Sequence, residues 1–274
     1  MDNVRKSFHQ TLEDIRQEMI QMAALVTEGI PRATETLLSG DLREAQQIVD
    51  DDDPLDARAV ELEETCYQVL ALQQPMAGDL RGIVTAIRMI AEIERSGDLV
   101  VNIAKGARRA FGTEIPARLR GLIGQMGEEA TRLFRIAMDA YIDADAALAA
   151  AIDDLDDRLD SIHREYIQEI FRAHHDGDLT VQVAIQLALI GRYYERIGDH
   201  AVNIGERVRY MVTGWLPEHT GAARVAARSD RPAADAPAPD APAIGGGPAT
   251  PGDAAPPAPP TPGDAGADRP DGEV

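Results

Sequence analysis

Apolar residues recur every three or four positions through most of the first 215 residues. The opening stretch shows the pattern in full: Phe8, Leu12, Ile15, Met19, Met22, Val26, Ile30, Ala33 and Leu37. Those steps place all nine side chains on one stripe of an amphipathic helix. Pro31 falls within it and is expected to kink the helix, because its ring removes one backbone donor. Ser39-Gly40 supplies a stop. A second helical pattern runs from about Asp41 to Gln73, with a bend expected at Pro54, and Gln74-Pro75 ends it. A third runs from about Asp79 to Phe111 and a fourth from about Pro116 to Ala144. A fifth carries the acidic run AIDDLDDRLD and ends near His174-His175, which are expected in a solvated loop. A sixth spans about Asp178 to Gly214. No segment shows sustained alternation of period two, so the predicted fold class is all-α.

The chain repeats itself. Glu94-Arg-Ser-Gly-Asp-Leu-Val-Val-Asn-Ile-Ala-Lys105 and Glu195-Arg-Ile-Gly-Asp-His-Ala-Val-Asn-Ile-Gly-Glu206 agree at seven of twelve positions, at a constant offset of 101. The third predicted helix therefore matches the sixth. The acidic entries Asp53-Pro-Leu-Asp56 and Asp157-Arg-Leu-Asp160 pair at an offset of 104. A period near 100 residues is too long for a solenoid and suits a duplicated domain. Short connections make successive helices antiparallel neighbours. The expectation is two tandem three-helix bundles, residues 1–112 and 113–217, followed by a tail over 218–274.

The repeated motif, Glu-x-x-x-Asp-x-x-x-Asn, carries the candidate chemistry. Four-residue steps keep Glu94, Asp98 and Asn102 on one helix face, and Glu195, Asp199 and Asn203 on the other copy's face. The apolar stripe of Ile83, Ile87, Ile90 and Val101 puts these acids on or beside the packing face. Carboxylates there need compensation by a cation. Gly97 and Gly198, each mid-helix at a cost of about 1 kcal/mol, point to close approach by a ligand or another helix. Hard oxygen ligands favour Mg²⁺, Mn²⁺, Ca²⁺ or iron. The competing readings are hydrogen bonding between helices and a partner interface. Asp53, Asp56, Asp157 and Asp160 are further candidates if their helices face the motif. A di-metal oxidase of ferritin-like design would want Glu-x-x-His pairs at the repeated positions, and none occurs there. No triad, nucleophile–base pair or phosphate-cradling loop is visible, so no catalysis is expected.

Composition narrows the partners. The net charge is −20, which disfavours nucleic acid and an electrostatic hold on an anionic membrane. It suits cations or a basic protein patch. Twelve of the 17 prolines lie beyond residue 217, and that composition cannot offset the entropy of ordering, so the segment reads as a disordered tail. The single cysteine, Cys66, reads as a small core residue in a reducing compartment. The N-terminus lacks an apolar signal region and no apolar run is long enough to span a bilayer. A cytoplasmic protein reaching the membrane only through partners is expected. Trp215 is expected to close the bundle end.

These residues carry a family resemblance. Gln74-Pro75 with Gly78-Asp79-Leu80-Arg81, Ile93-Glu94-Arg95 with Gly97-Asp98 and Asn102-Ile103, and Glu195-Arg196-Ile197-Gly198-Asp199-His200 with Asn203-Ile204 resemble the PhoU family over about residues 1–215. The second half departs from it at its entry, which reads His-Asp-Gly-Asp-Leu-Thr. The resemblance implies two symmetrical three-helix bundles. It also implies metal ions (iron, zinc, magnesium or manganese) held by Glu94 and Asp98 at one site and Glu195 and Asp199 at the other, with Asn102 and Asn203 lining them. It further implies a cytoplasmic, non-enzymatic negative regulator of phosphate uptake. Such a regulator acts between the phosphate ABC transporter and a sensor histidine kinase. The long amphipathic faces are compatible with a homodimer.

Overall fold

The computed structural model describes residues 2–215, and the expected tail lies outside the described residues. Seven helices occupy this part: α1 (Asp2–Ser39), α2 (Leu42–Asp50), α3 (Asp52–Gln73), α4 (Ala77–Arg109), α5 (Ala117–Ile142), α6 (Ala146–His175) and α7 (Val181–Thr213). Among the described residues there is no strand. The predicted stripe of α1 is the buried stripe: Ile15, Met19, Met22, Val26, Ile30, Ala33 and Leu37 are core, and Phe8 and Leu12 pack against it. The helix continues through Pro31.

The second predicted helix is two helices. Its break lies at Asp51, three residues before Pro54. Pro54 cannot donate to the carbonyl of Asp50, and its ring would crowd that carbonyl. Restarting the helix at Asp52 places Pro54 in a first turn, where a missing N–H costs nothing. The duplication explains what α2 and α3 are. Asp41 caps α2 by accepting from the Arg43 and Glu44 amides, and Asp145 caps α6 by accepting from those of Ala147 and Leu148. Together, α2 and α3 are the counterpart of the unbroken α6. At the position equivalent to Pro54, Arg158 continues α6 and reaches buried Glu129 on α5 at 3.4 Å. His174 and His175 form the last turn of α6 instead of a loop, and His174 Nδ1 lies 2.8 Å from the Leu179 carbonyl.

In the first half α1, α3 and α4 pack together; in the second, α5, α6 and α7 do so. The halves join along two antiparallel seams. On one, α4 meets α7 through Arg81–Met211 and Thr85–Arg207 hydrogen bonds. On the other, α1 meets α5 through Arg16–Ile142 and Arg120–Leu38. The hydroxyls of Thr34 on α1 and Tyr194 on α7 share a buried hydrogen bond of 2.8 Å. Helices α3 and α6 touch only helices of their own half. The faces they share with α4 and α7 therefore lie away from the α4–α7 seam.

Gln74 closes α3 in the left-handed region, at φ 46°. A side chain there costs about 1 kcal/mol that glycine avoids. Gln74→Gly is expected to raise unfolding free energy by about that amount in a urea titration, and a loss would show that the Gln74 side chain holds the turn.

Candidate functional site: two mirrored carboxylate clusters

The repeated motif lies half on the surface and half in the packing. Glu94 and Glu195 are half-buried, while Asp98 and Asp199 are exposed. Each motif faces a second acidic pair. On α3 these are Asp52 and Asp56, and on α6 they are Asp156 and Asp160; the spacing is four residues in both and the offset is 104. Of the further candidates Asp53, Asp56, Asp157 and Asp160, Asp56 and Asp160 belong to these pairs, and the other member of each pair is the residue before Asp53 or Asp157. Asp53 and Asp157 are exposed. Counting by helical steps back from Asp56 and Asp160, to i−4 and not i−3, would have found Asp52 and Asp156.

Glycine makes this juxtaposition possible. A Cβ on Gly97 would run into Leu55, and a Cβ on Gly198 would run into Asp156 and lie 2.7 Å from Leu159 Cδ2. Leu55 and Leu159 are equivalent residues, each lying between the two aspartates of its helix. The close approach that the glycines allow is therefore by a neighbouring helix, and it brings four carboxylates of each half together.

Like charges in partial burial show in their protonation. Burial, with Asp56 and Asp98 nearby, pushes Asp52 up to about 6, against a partial offset from Lys105. Burial and then Asp160, Asp199 and Glu195 push Asp156 up to about 7. Glu94 is raised by burial and then by Asp98 and Asp56; Glu195 is raised by burial and then by Asp199, with Arg192 opposing. Asp56 is raised by burial and Asp98. Three buried oxygens of these clusters, Asp56 Oδ1, Asp156 Oδ1 and Glu195 Oε2, have no hydrogen-bond partner. A buried carboxylate oxygen without a donor is costly. Such oxygens in an all-carboxylate set fit a hard cation. Among the described residues, no group of three or more His, Cys, Asp or Glu side chains could hold a metal ion as it stands.

The clusters differ in their surroundings. Asp56, Glu63 and Glu94 line one cleft of about 320 Å³ with Ala59, Val60, Ile90 and Ala91. In the second half Arg192 pairs with Glu195 and approaches Asp199 at 3.9 Å. Asn203 turns away from its motif: its Nδ2 donates to Glu92 Oε2 at 3.2 Å across the α4–α7 seam. Asn102 is half-buried on α4. His200, beside Asp199, also bonds Glu92 through Nδ1. Burial opposes ionisation of Glu92, but the His200 and Asn203 hydrogen bonds and nearby Arg95 outweigh it and hold the carboxyl below its ordinary value. This polar node joins the two halves close to both motifs, and no repeat in the sequence announces it, because the positions equivalent to Glu92 and His200 are Tyr193 and Leu99. Cys66 is fully buried and free, as expected, and burial pushes its thiol up to about 11.

The fold and the duplicated sequence have relatives. The PhoU domain matches twice, over residues 19–107 and 123–208. The Mycobacterium leprae protein named phosphate-specific transport system accessory protein PhoU homolog 1 is 36% identical over 216 residues, spanning 78% of this chain and 96% of its own. The homolog from Rhizobium meliloti is 30% identical over 216 residues, 79% of this chain and 91% of its own. The crystal structure of PhoU from Pseudomonas aeruginosa superposes with a TM-score of 0.72 at 29% identity, covering 76% of this chain and all of that one. That of the phosphate transport system regulatory protein PhoU from Streptococcus pneumoniae gives 0.70 at 27% identity, covering 76% and 98%. The chain belongs to the PhoU family, with the PhoU domain present in both halves of its duplicated helical body.

Proposed function

We propose that this protein is a non-enzymatic regulator of phosphate uptake whose two carboxylate clusters bind metal ions. The observation that carries the regulatory reading is the extent of the likeness: the match to phosphate-specific transport accessory proteins spans 91–96% of the relatives compared above. The finer reading follows the family: a cytoplasmic negative regulator that couples the phosphate ABC transporter to a sensor histidine kinase, as a homodimer. Among the described residues no helix is long and apolar enough to cross a membrane, so contact with a transporter would run through protein surfaces.

The metal reading rests on the mirrored acids with their unpartnered oxygens. Asp52, Asp56, Glu94 and Asp98 would hold one site, and Asp156, Asp160, Glu195 and Asp199 the other. An ion there would supply positive charge that cancels the repulsion between facing helices. The residues themselves orient it: Leu55 on Gly97 and Leu159 on Gly198 set the helix spacing, and the exposed aspartates close the set. Asn203, committed to Glu92, supports the seam and is not a ligand on this reading.

Elemental analysis of protein purified without chelator or affinity tag tests both sites. Near-stoichiometric metal is expected in the wild type. Glu94→Ala/Asp98→Ala should lose one site's share and Glu195→Ala/Asp199→Ala the other's, with phosphate uptake deregulated in cells carrying each variant. Metal-free wild type, with both variants folded and unchanged, would remove the metal reading. Normal uptake control in cells lacking the protein would remove the regulatory one.

A further inference from the structure

The α1–α5 seam is built twice and finished differently at its two ends. Arg16 on α1 donates to the Ile142 carbonyl on α5, and Arg120 on α5 donates to the Leu38 carbonyl on α1. The two bonds are equivalent, at the offset of 104 that also relates α3 to α6. At the Arg16 end the following turns of α1 carry Gln17, Ile20 and Ala23, and Ile20 packs on the core. At the Arg120 end the same positions are Gly121, Gly124 and Gly127. A groove of about 620 Å³ lies there, lined among others by Thr34 and Leu38 on α1 and by Arg120, Gly124, Gly127 and Glu128 on α5.

Of the three glycines, only Gly127 answers to packing within the chain, since a Cβ there would run into Thr34. A Cβ on Gly121 or Gly124 would meet nothing within 4 Å. A glycine inside a helix costs about 1 kcal/mol relative to alanine. Gln17 and Ile20 show that the seam accepts side chains at both positions, so these two glycines serve a surface approached from outside. The charges beside them are arranged for the same purpose. Four-residue steps put Arg120, Gly124 and Glu128 on one helix face. Arg120 and Glu128 are about 12 Å apart along the axis, too far to pair with each other. Arg132, one turn beyond Glu128, turns to buried Glu129 instead. Glu128 is exposed, and among the described residues it has no ion pair or hydrogen-bonding partner. Arg120 is also exposed and commits one N–H of its guanidinium to Leu38. At the other end of the seam the position equivalent to Glu128 is Ala24, so the Arg/Glu pair occurs only where the glycines are.

We propose that this face of α5 binds a second copy of the chain, the two α5 helices crossing antiparallel at Gly124 about a two-fold axis. This deepens the homodimer proposed above and rests on that part of the reading, independently of the metal clusters. A two-fold axis through Gly124 sets residues equally distant from it opposite one another. Arg120, four residues before the axis, then faces Glu128 of the second copy, and Glu128 faces its Arg120. One contact pattern satisfies both charges twice. The net charge of −20 makes two copies repel. A face where they can meet has to present both signs in reciprocal positions, and the Arg120/Glu128 spacing does so. The glycines let the two backbones approach closely at the crossing, while the charge pairs fix register more than they add affinity.

Sedimentation velocity of the full chain over a range of concentrations tests this, with circular dichroism as the check on folding. The wild type is expected to dimerise. Glu128→Arg sets Arg120 against an arginine, and Arg120→Glu sets Glu128 against a glutamate. Each is expected to weaken the dimer about 10-fold or more, because like charges facing one another cost several kcal/mol. An equal mixture of the two variants should dimerise again, since the heterodimer restores an opposite-charge pair at both positions. Gly124→Ile installs the residue of the equivalent position, Ile20, and should leave the fold intact while also weakening the dimer about 10-fold or more. It keeps the test decisive should Arg120→Glu, which gives up the Leu38 bond, fail to fold. A dimer undiminished in Glu128→Arg and Gly124→Ile would place self-association on another face and overturn this proposal while leaving the homodimer standing. Single variants that stay monomeric when mixed would overturn the reciprocal pairing. A monomeric wild type would remove the homodimer and this proposal together.

Discussion

Replacing Glu92 with alanine is expected to destabilise the protein by about 3–5 kcal/mol in a denaturant titration. The side chain is 12% exposed and that of its partner His200 is 8% exposed, so solvent cannot replace what is lost. Removing the carboxylate leaves His200 and the Asn203 carboxamide facing a hole at the centre of the α4–α7 seam. His200 Nε2 already lacks a partner, so the imidazole would be left unsatisfied at both nitrogens. The cost is a property of breaking the node and not a measure of its net worth. The duplication shows that an apolar seam is possible, because the equivalent positions hold Tyr193 and Leu99, both packed on the core. Glu92→Met/His200→Leu is accordingly expected to return to within about 1 kcal/mol of wild type, or to exceed it. A Glu92→Ala variant as stable as wild type would show that the node contributes nothing to joining the halves. A double variant as unstable as the single would show that the node's hydrogen bonds, and not its burial, hold the seam.

The contrast between that node and the stripe of α1 defines what the sequence could reveal. Nine stripe residues were legible because helical period depends only on local spacing, and each of them is buried or packed on the core. The bend expected at Pro54 is a break at Asp51, because a proline removes the hydrogen bond to, and crowds, the carbonyl four residues earlier, here that of Asp50, the last residue of α2. The repeat placed Glu94 with Glu195 and Asp98 with Asp199. It could not say that Leu55 and Leu159 fill the space over Gly97 and Gly198, since that depends on helix spacing. Asp52 and Asp156 were hidden in acidic runs where every register offers a carboxylate. The Glu92 node breaks the internal symmetry. A search for what repeats passes over it, because Glu92 and His200 have Tyr193 and Leu99 at their equivalent positions.

The metal-free protein is expected to lose stability as pH rises from about 4 to about 7. Asp156 carries the largest share. Its unfolded carboxyl ionises near the ordinary 3.8, whereas in the fold burial and then Asp160, Asp199 and Glu195 push it up to about 7. Below the first value both states hold the proton and the group contributes no pH dependence. Between the two the folded state binds more protons than the unfolded one, so the unfolding free energy falls with each increment of pH, and the full penalty is reached above the folded value. Asp52, pushed up to about 6, acts in the same direction over a narrower window. A three-unit shift would nominally be worth about 4 kcal/mol; discounted for the screening of a half-exposed group, the Asp156 effect is on the order of 2 kcal/mol. Asp156→Asn should therefore stabilise chelator-treated protein at pH 8, leave it nearly unchanged at pH 4, and flatten the slope between. A saturating divalent ion should reverse the ordering at pH 8, because it binds the ionised cluster of the wild type and gains about 2.7 kcal/mol at a hundredfold excess over its dissociation constant. Thermal unfolding of both proteins at pH 4, 6 and 8, with chelator and with Mn²⁺, reads all of this. A flat wild-type profile would mean that the carboxylates repel one another less than their placement requires. An Asn variant stabilised by metal as strongly as the wild type would take Asp156 out of the ligand set.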